Sequence, residues 1–274
     1  MSDTYEKTDQ GPGKLFCFGL GYTGLALAKA LIADGWQVAG TSRTAESASF
    51  LTEQGIEAFV FDRTRPLADA GSALKGVTHL LSSVPPDETG DPVLDCHADD
   101  LEALAQNTAW AGYLSTTVVY GNRDGGWVDE SSARTPGVAR GQRRVDAEDR
   151  WIALGQASNI PVHLFRLAGI YGPGRSAFDQ IRAGREKRVE RPGQVFSRIH
   201  VEDIVAVLRA SMQQPRAGAA YNLCDDNAAA PADVTAFACE LMGVPVPPAV
   251  QYEDADLSDM AKTFWADNKR VRNN

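Results

Sequence analysis

A glycine-rich turn between a strand pattern and a helical pattern constrains the fold of this chain more than any other feature. The segment reads KLFCFGLGYTGLALAKALIADGWQVAGTSR over residues 14–43. Its order of strand, turn, helix and second strand is the fingerprint of a dinucleotide-binding βαβ unit. In that fingerprint Gly19 permits a tight turn, Gly21 lets the backbone approach a diphosphate, and Gly24 lets helix and strand pack closely.

The start of the helix predicts how the ligand is held. Its first residues, Tyr22 and Thr23, present free amides and the positive end of the helix dipole, which suit phosphate groups. The alternative is a tight turn without a ligand. The complete strand, helix, strand order favours a cofactor site.

The end of the second strand favours NADP over NAD. NAD-binding proteins of this fold usually carry Asp or Glu here, to bond the ribose 2′-hydroxyl. This chain reads Gly40-Thr41-Ser42-Arg43, without an acid. Arg43 could pair with a 2′-phosphate, and Thr41 and Ser42 could donate to it. The alternative is that Arg43 is an ordinary solvated residue, which leaves NAD as a candidate.

Composition and charge argue against several other classes of protein. The 274 residues are 43% hydrophobic and carry a net charge of −9, so we predict no nucleic-acid partner. No apolar run is long enough for a membrane span, and we interpret the polar residues 1–13 as a flexible tail. The four cysteines show neither CxxC spacing nor a metal pattern. We therefore predict no metal site, a buried Cys17 thiol and a cytoplasmic protein with reduced thiols.

Strand and helix patterns alternate along the first part of the chain. This predicts an α/β fold, a Rossmann-like doubly wound parallel sheet with helices on both faces. The predicted strands are 14–19, 36–42, 56–61, 77–83, 110–115 and 161–167, and the predicted helices lie near 22–34, 45–54, 93–107, 141–156 and 202–213. We assign residues 14–170 to a nucleotide-binding domain, to which later segments return, and residues 171–274 mainly to a small C-terminal substrate lobe.

Ligands of such sheets lie beyond the carboxyl ends of the strands. The fourth predicted strand ends at Ser82 and Ser83, and Pro85 then opens a loop. We expect these three residues to face the cofactor.

Four further segments occur in a familiar order. They are STTVVYG at 115–121, RLAGIYGPG at 166–174, RIHVED at 198–203 and YNL at 221–223. Together with the glycine turn they resemble the extended short-chain dehydrogenase/reductase family, the NAD(P)-dependent epimerases and dehydratases. The resemblance covers residues 14–223. It implies a small-molecule substrate and a C-terminal substrate lobe. Many relatives dimerise, which makes a homodimer one candidate and leaves the oligomeric state open.

The resemblance also suggests roles for single residues. Thr116 lies four residues before the tyrosine of the VYG motif, where the family places a hydroxyl that bonds the reacting oxygen of the substrate. The alternative is a threonine that caps a turn. Asp62 stands where family members contact adenine, and the alternative is an ordinary turn aspartate.

The family's central Tyr-x-x-x-Lys motif is altered. Pro136 and Glu148 align the segment, and Arg140 and Arg144 then stand in place of the tyrosine and the lysine. Arginine keeps its proton in proteins, so Arg140 cannot act as a general base. Arg144 could still bond the cofactor ribose. We expect Arg140 and Arg144 to assist Thr116 in catalysis as electrostatic stabilisers.

Further differences from the family's motifs reduce the number of reactions that the chain could catalyse. Thr117 and Val118 replace the Asp-Glu pair of sugar-nucleotide dehydratases, which argues against sugar dehydration. Tyr120, Tyr171 and His200 lie near strand ends and could replace the missing proton carrier. The resemblance gives His200 a structural role that joins the lobe to the main domain, and packing is the stronger interpretation for both tyrosines.

Basic residues are concentrated late in the chain. Residues 175–198 hold seven Arg or Lys against three acids, which suits an anionic ligand or a solvated surface. The run at 269–272 follows an aromatic pair and suggests a segment that folds back on the lobe. Two hypotheses remain: an NAD(P)-dependent oxidoreductase or epimerase acting on a small anionic or sugar-nucleotide-like substrate, and a catalytically silent nucleotide-binding sensor or scaffold.

Overall fold

The computed structural model describes residues 12–274, so the predicted tail falls almost wholly outside the described residues. The strands are β1 (Lys14–Phe18), β2 (Gln37–Ser42), β3 (Glu57–Val60), β4 (His79–Ser82), β5 (Trp110–Thr116), β6 (Trp127–Val128), β7 (Val162–Leu167), β8 (Gly169–Tyr171), β9 (Arg188–Glu190), β10 (Arg198–His200), β11 (Ala220–Leu223), β12 (Ala249–Gln251) and β13 (Arg270–Val271). The helices are α1 (Tyr22–Ala33), α2 (Ala45–Glu53), α3 (Ala70–Ala73), α4 (Pro92–Ala103), α5 (Ala139–Ser158), α6 (Ala177–Arg182), α7 (Val201–Gln213), α8 (Pro231–Met242) and α9 (Asp259–Trp265).

The central element is a seven-stranded sheet in the order β11-β7-β5-β4-β1-β2-β3. All six of its strand pairs are parallel. The strand order reverses between β1 and β4, and ligands of open α/β sheets bind at such a switch point. The predicted Rossmann-like α/β class is confirmed, with β11 as a seventh strand that the sequence patterns did not predict.

Alternate side chains of the central strands enter two hydrophobic clusters, because successive residues of a strand point to opposite faces. Leu15 and Cys17 of β1 belong to one cluster, together with Leu27 of α1. Phe16 and Phe18 belong to the other cluster. Burial on both faces explains the unbroken apolar run over residues 15–18 of β1.

Outside the central sheet, three short strand pairs organise the rest of the chain: β8 with β10, β9 with β12, and β6 with β13. The last pair joins residues 270–271 to residues 127–128, within the loop that precedes α5. Residues 264–272, which we call the C-terminal segment, therefore reach the loop between β5 and α5. Within the described residues, no helix combines the length and apolar character that a membrane span requires.

Candidate cofactor and substrate site

The glycine turn has the geometry that its sequence predicts. Gly19 has φ of +84°, and a Cβ there would lie 3.1 Å from Val84 Cγ2. A Cβ on Gly24 would lie 3.0 Å from Cys17 Sγ, so only glycine lets α1 approach β1 this closely. A Cβ on Gly21 would meet no atom within 4 Å. The turn is therefore tight at its first glycine, closely packed at its third, and open at its second.

The start of α1 is free to hold an anion. Gly21 occupies the N-cap position, and no side chain caps the helix. The amides of Tyr22 and Thr23 therefore keep their donor capacity. The Tyr22 hydroxyl donates to the carbonyl of Pro173 at 3.1 Å, which holds the loop at 172–174 beside the helix start. This open, uncapped turn fits the diphosphate of a dinucleotide.

At the end of β2, Thr41 does not point towards the space where a 2′-phosphate was expected. Thr41 is buried, and its Oγ1 accepts a hydrogen bond from the Gly19 amide at 2.9 Å, so it fixes the glycine turn instead of facing a ligand. The Ser42 hydroxyl is half-buried and donates to the carbonyl of Thr44. Arg43 is exposed, and its side chain forms no hydrogen bond or ion pair within residues 12–274.

Asp62 forms a compact turn beyond β3. Its Oδ1 accepts from the Thr64 amide at 2.9 Å, and Oδ2 accepts from Arg65 Nε at 2.9 Å. The hydrogen bonds from Arg65 and Thr64 lower the Asp62 pKa to about 2, so the group is ionised at neutral pH. Arg65 also donates to the Arg43 carbonyl at 2.8 Å. The turn thus brings a second guanidinium beside the end of β2.

The three residues at the end of β4 that were expected to face the cofactor differ in their exposure to solvent. Ser82 is fully buried, and its hydroxyl has no hydrogen-bond partner in the part of the chain that the structure describes. Ser83 is half-buried and Pro85 is exposed. Only the latter two present surface beside the glycine turn, where a Cβ on Gly19 would lie 3.4 Å from Ser83 C.

The residues predicted to assist catalysis lie at the end of β5 and at the start of α5. Thr116 Oγ1 accepts from the Val118 amide at 3.4 Å and caps a short 3₁₀ turn. Arg144 donates to the Leu114 carbonyl at 2.8 Å and to the Tyr113 hydroxyl at 3.1 Å. Arg144 thereby ties α5 to β5. Its partner Tyr113 is fully buried, and burial raises its pKa, so this phenol does not reach a substrate.

Arg140 has a different environment. Its guanidinium carbon lies 3.9 Å from the ring centroid of Phe264, so the C-terminal segment contacts the start of α5. Burial lowers the Arg140 pKa, and the charge of Arg144 lowers it further. Sequence reasoning placed the C-terminal segment on the lobe. The aromatic pair and basic run marked it as a folded element but did not indicate this contact.

A buried polar network connects Tyr120, a candidate proton carrier, with four other residues of the sequence motifs. Glu148 is fully buried, and its carboxylate accepts from Ser115 Oγ at 2.6 Å and from Arg166 Nη2 at 2.9 Å. Arg166 also donates to the Tyr120 hydroxyl at 2.9 Å, which donates to Asn222 Oδ1 at 2.7 Å. The network spans β5, α5, β7 and β11, and it gives Tyr120 a structural position away from solvent.

His200 is the last residue of β10 and the N-cap of α7. Its Nδ1 accepts from the Glu202 amide at 3.3 Å and caps α7. Its ring meets that of Tyr171 edge to face, with centroids 5.1 Å apart. Burial raises the Tyr171 pKa. Both side chains thus pack where β8 and β10 pair.

Part of the basic excess at 175–198 holds the lobe together. Arg188 Nε donates to the Pro247 carbonyl at 3.1 Å, and Arg191 Nη1 donates to the Trp265 carbonyl at 2.8 Å. Arg198 donates to the Phe196 carbonyl at 2.9 Å. These guanidinium groups serve internal contacts.

No group of three or more His, Cys, Asp or Glu is arranged to hold a metal ion within residues 12–274. All four cysteines are free. Cys17 is buried in β1 as predicted, and burial raises the pKa of its thiol to about 12. This thiol is therefore a packing group and not a nucleophile.

Comparisons with known proteins agree with this fold. No family model matches the chain. A solved structure of a functionally unknown conserved protein from Silicibacter pomeroyi DSS is 50% identical, covers 95% of this chain and 89% of its own, and superposes with a TM-score of 0.87. Protein YeeZ of Escherichia coli K12 is 29% identical over 222 residues, 77% of each chain. UDP-glucuronic acid 4-epimerase from Bacillus cereus, solved with UDP-glucuronic acid and NAD, is 16% identical, covers 93% of this chain and 97% of its own, and has a TM-score of 0.71.

The fold is the one seen in solved structures of an epimerase and a dehydratase that contain NAD, the Bacillus cereus enzyme and dTDP-glucose 4,6-dehydratase from Bacillus anthracis. Within that fold, the chain belongs to the same family as the conserved Silicibacter protein.

Proposed function

We propose that this chain binds NADP(H) or NAD(H) at the glycine turn and is an oxidoreductase or epimerase acting on a small anionic or sugar-nucleotide-like substrate. The observation that carries the proposal is the open space at Gly21 beside the uncapped start of α1. Solved structures that share the fold contain NAD. The nicotinamide would supply hydride transfer, and Ser83, Pro85 and Arg144 are the candidate contacts on its side of the sheet.

We favour NADP because β2 ends in Arg43 with no acid. The exposed guanidinium of Arg43 is available to a 2′-phosphate, and Ser42 lies beside it. Arg65 is adjacent, although Asp62 neutralises it. In this scheme Asp62 lies beside the adenine.

Titration of the protein with NADPH and NADH, followed by fluorescence, tests binding. We expect both to bind, with NADPH the tighter. Gly21→Ala places a methyl group in the open space and should weaken both by at least about tenfold without loss of folding. Arg43→Gln should weaken NADPH alone, because it removes a charge-assisted contact to the 2′-phosphate.

Gly71→Ala is the matched control, since Gly71 lies in α3 and a Cβ there would meet only Asp69 Oδ1, at 3.7 Å. It should leave both affinities unchanged. Absence of binding of either nucleotide at millimolar concentration would refute the proposal.

A catalytically silent sensor or scaffold is the second candidate, and the arginine pair favours it. Neither Arg140 nor Arg144 can give up a proton at neutral pH, and the hydroxyl that Arg144 contacts is buried. Nicotinamide absorbance, measured with a panel of carbonyl and sugar-nucleotide substrates, separates the two candidates. Turnover that falls about a hundredfold in Thr116→Ala, but not in the adjacent Thr117→Ala, would support the enzyme. Cofactor binding with no hydride transfer would support the sensor.

A further inference from the structure

The first turn of α5 carries an unusual charge pattern. Its N-cap residue, Val138, provides no side-chain hydrogen bond, and the first turn contains no acidic residue. It contains Arg140 instead, and Arg143 and Arg144 follow within one turn. A helix start carries partial positive charge, which disfavours cations and attracts anions. This helix start therefore carries cations where acidic residues would stabilise the helix.

The C-terminal segment adds a second source of positive charge beside this helix start. Phe264 covers the Arg140 guanidinium, and five residues later Lys269 is buried, with Nζ 3.0 Å from Asp267 Oδ2. The Asn268 carbonyl between them accepts the amide of Arg123 at 2.9 Å. The segment thus brings Arg123, Arg140 and Lys269 together, and we call these three residues the basic cluster.

Electrostatics within the basic cluster support its proximity. Burial lowers the pKa of Lys269, and the charges of Arg140 and Arg123 lower it further, while Asp267 acts in the opposite direction. Arg140 likewise interacts with Asp267. Asp267 therefore faces two cations, Lys269 and Arg140, and Arg123 lies close enough to Lys269 to interact with it.

The hydrogen-bonding capacity of the cluster is also incomplete. Arg140 Nε is buried without a hydrogen-bond partner, as is Nε of Arg143. The Arg140 side chain forms no hydrogen bond or ion pair among residues 12–274, and its guanidinium stacks on the Phe264 ring. A buried donor without a partner costs free energy that a bound acceptor would recover.

From this geometry we propose that Arg123, Arg140 and Lys269 bind an oxyanion, a carboxylate or phosphate group of the substrate, with Phe264 as an apolar wall. The inference rests on the proposed function, since it assigns the substrate class of the same cleft. Arg144 is left out of the site because its Nη1 is bonded to both the Tyr113 hydroxyl and the Leu114 carbonyl of β5. Arg123 forms one such bond, from Nη2 to the Ala133 carbonyl at 2.7 Å, and keeps its other nitrogens for a ligand. In this arrangement Arg140 holds the substrate in place where the family's tyrosine would move a proton.

Calorimetric titration with inorganic phosphate and with acetate, at constant ionic strength, tests this site and separates the two anion chemistries. We expect at least one anion to bind the wild-type protein, and Arg140→Gln to weaken it by about tenfold or more. Arg140→Lys should retain part of the affinity. Arg123→Gln reports on the same site from a different loop, should Arg140→Gln fail to fold.

Arg216→Gln is the matched control, because Arg216 is exposed and its side chain forms no hydrogen bond within the described residues. Gly21→Ala distinguishes the basic cluster from the glycine turn. Anion binding that survives Gly21→Ala and is lost in Arg140→Gln supports the site, whether or not NADPH binds. Binding that is lost only in Gly21→Ala, that is equal in Arg140→Gln and wild type, or that is absent for both anions overturns it.

Discussion

At the scale of single residues, Glu148 is a fully buried acid held by several hydrogen-bond donors. Its carboxylate is wholly removed from water, yet it accepts hydrogen bonds from Ser115, from Arg166 and, at 3.1 Å, from Arg134. A buried charge is tolerated only when such partners compensate its lost hydration. The ion pair with Arg166 therefore depends on each partner remaining charged.

Glu148→Gln should lower the free energy of unfolding by about 3 kcal/mol, because it leaves the Arg166 guanidinium buried without its counter-ion. Urea unfolding measures this. Asp149→Asn is the control, since Asp149 is exposed and accepts from Arg134 at 2.7 Å. It should change stability by less than about 0.5 kcal/mol. Equal losses in both variants would show that burial of the ion pair does not matter.

Arg140 and Thr41 show why the contacts of a single side chain were harder to predict than the position of its residue in the fold. The family resemblance predicts that Arg140 stands in place of a tyrosine, but it could not predict the contact with Phe264, which joins positions far apart in the chain. Thr41 seemed suited to a phosphate because it lies in the correct segment. Its side chain instead bonds the Gly19 amide. A local sequence pattern does not show whether a side chain points towards a ligand or towards the protein interior when hydrogen-bond partners exist on both sides.

At the scale of elements, every strand and helix placed from sequence periodicity is present in the structure. The elements up to β7, apart from the short α3 and β6, were predictable because buried parallel strands read as apolar runs and the helices show a clear period. The seventh strand, β11, is four residues long and is stabilised by pairing with β7. The short pairs of the lobe were not predictable for the same reason, since two- and three-residue strands carry no periodic signal.

Some helix starts can be predicted from the adjacent residues, whereas others depend on contacts from distant parts of the chain. Asp91 before Pro92 is a recognisable cap, and its Oδ1 accepts from the amides of Val93 and Leu94. The start of α5 lacks any such cap. Its partners come from the C-terminal segment, which only the folded chain brings near.

At the scale of the whole molecule, stability should fall as the pH is lowered below neutrality. Burial lowers the pKa of His79 from 6.5 to about 4, and it also lowers the pKa of His163. These groups stay neutral in the folded protein while the unfolded chain binds protons. Stability is therefore lost as the pH falls from 6.5 towards 4, and the contribution of His79 is fully lost below that range.

Urea unfolding at several pH values between 7.5 and 4.5 measures this dependence. His79→Gln should give a shallower slope than wild type, because glutamine does not titrate. The slope of the unfolding free energy against pH is compared between the variant and the wild type. This comparison is needed because Asp91, whose pKa is raised by burial, changes stability with pH in the opposite direction. The same slope in both proteins would exclude His79 as a source of the dependence.

The pairing of β13 with β6 has a consequence for how the molecule is completed during synthesis. All seven strands of the central sheet precede residue 224, whereas the segment that covers Arg140 is translated afterwards. Because a nascent chain folds from its amino end, the glycine turn is assembled before the wall of the basic cluster arrives. Until then the ribosome-bound chain exposes Arg140 to water.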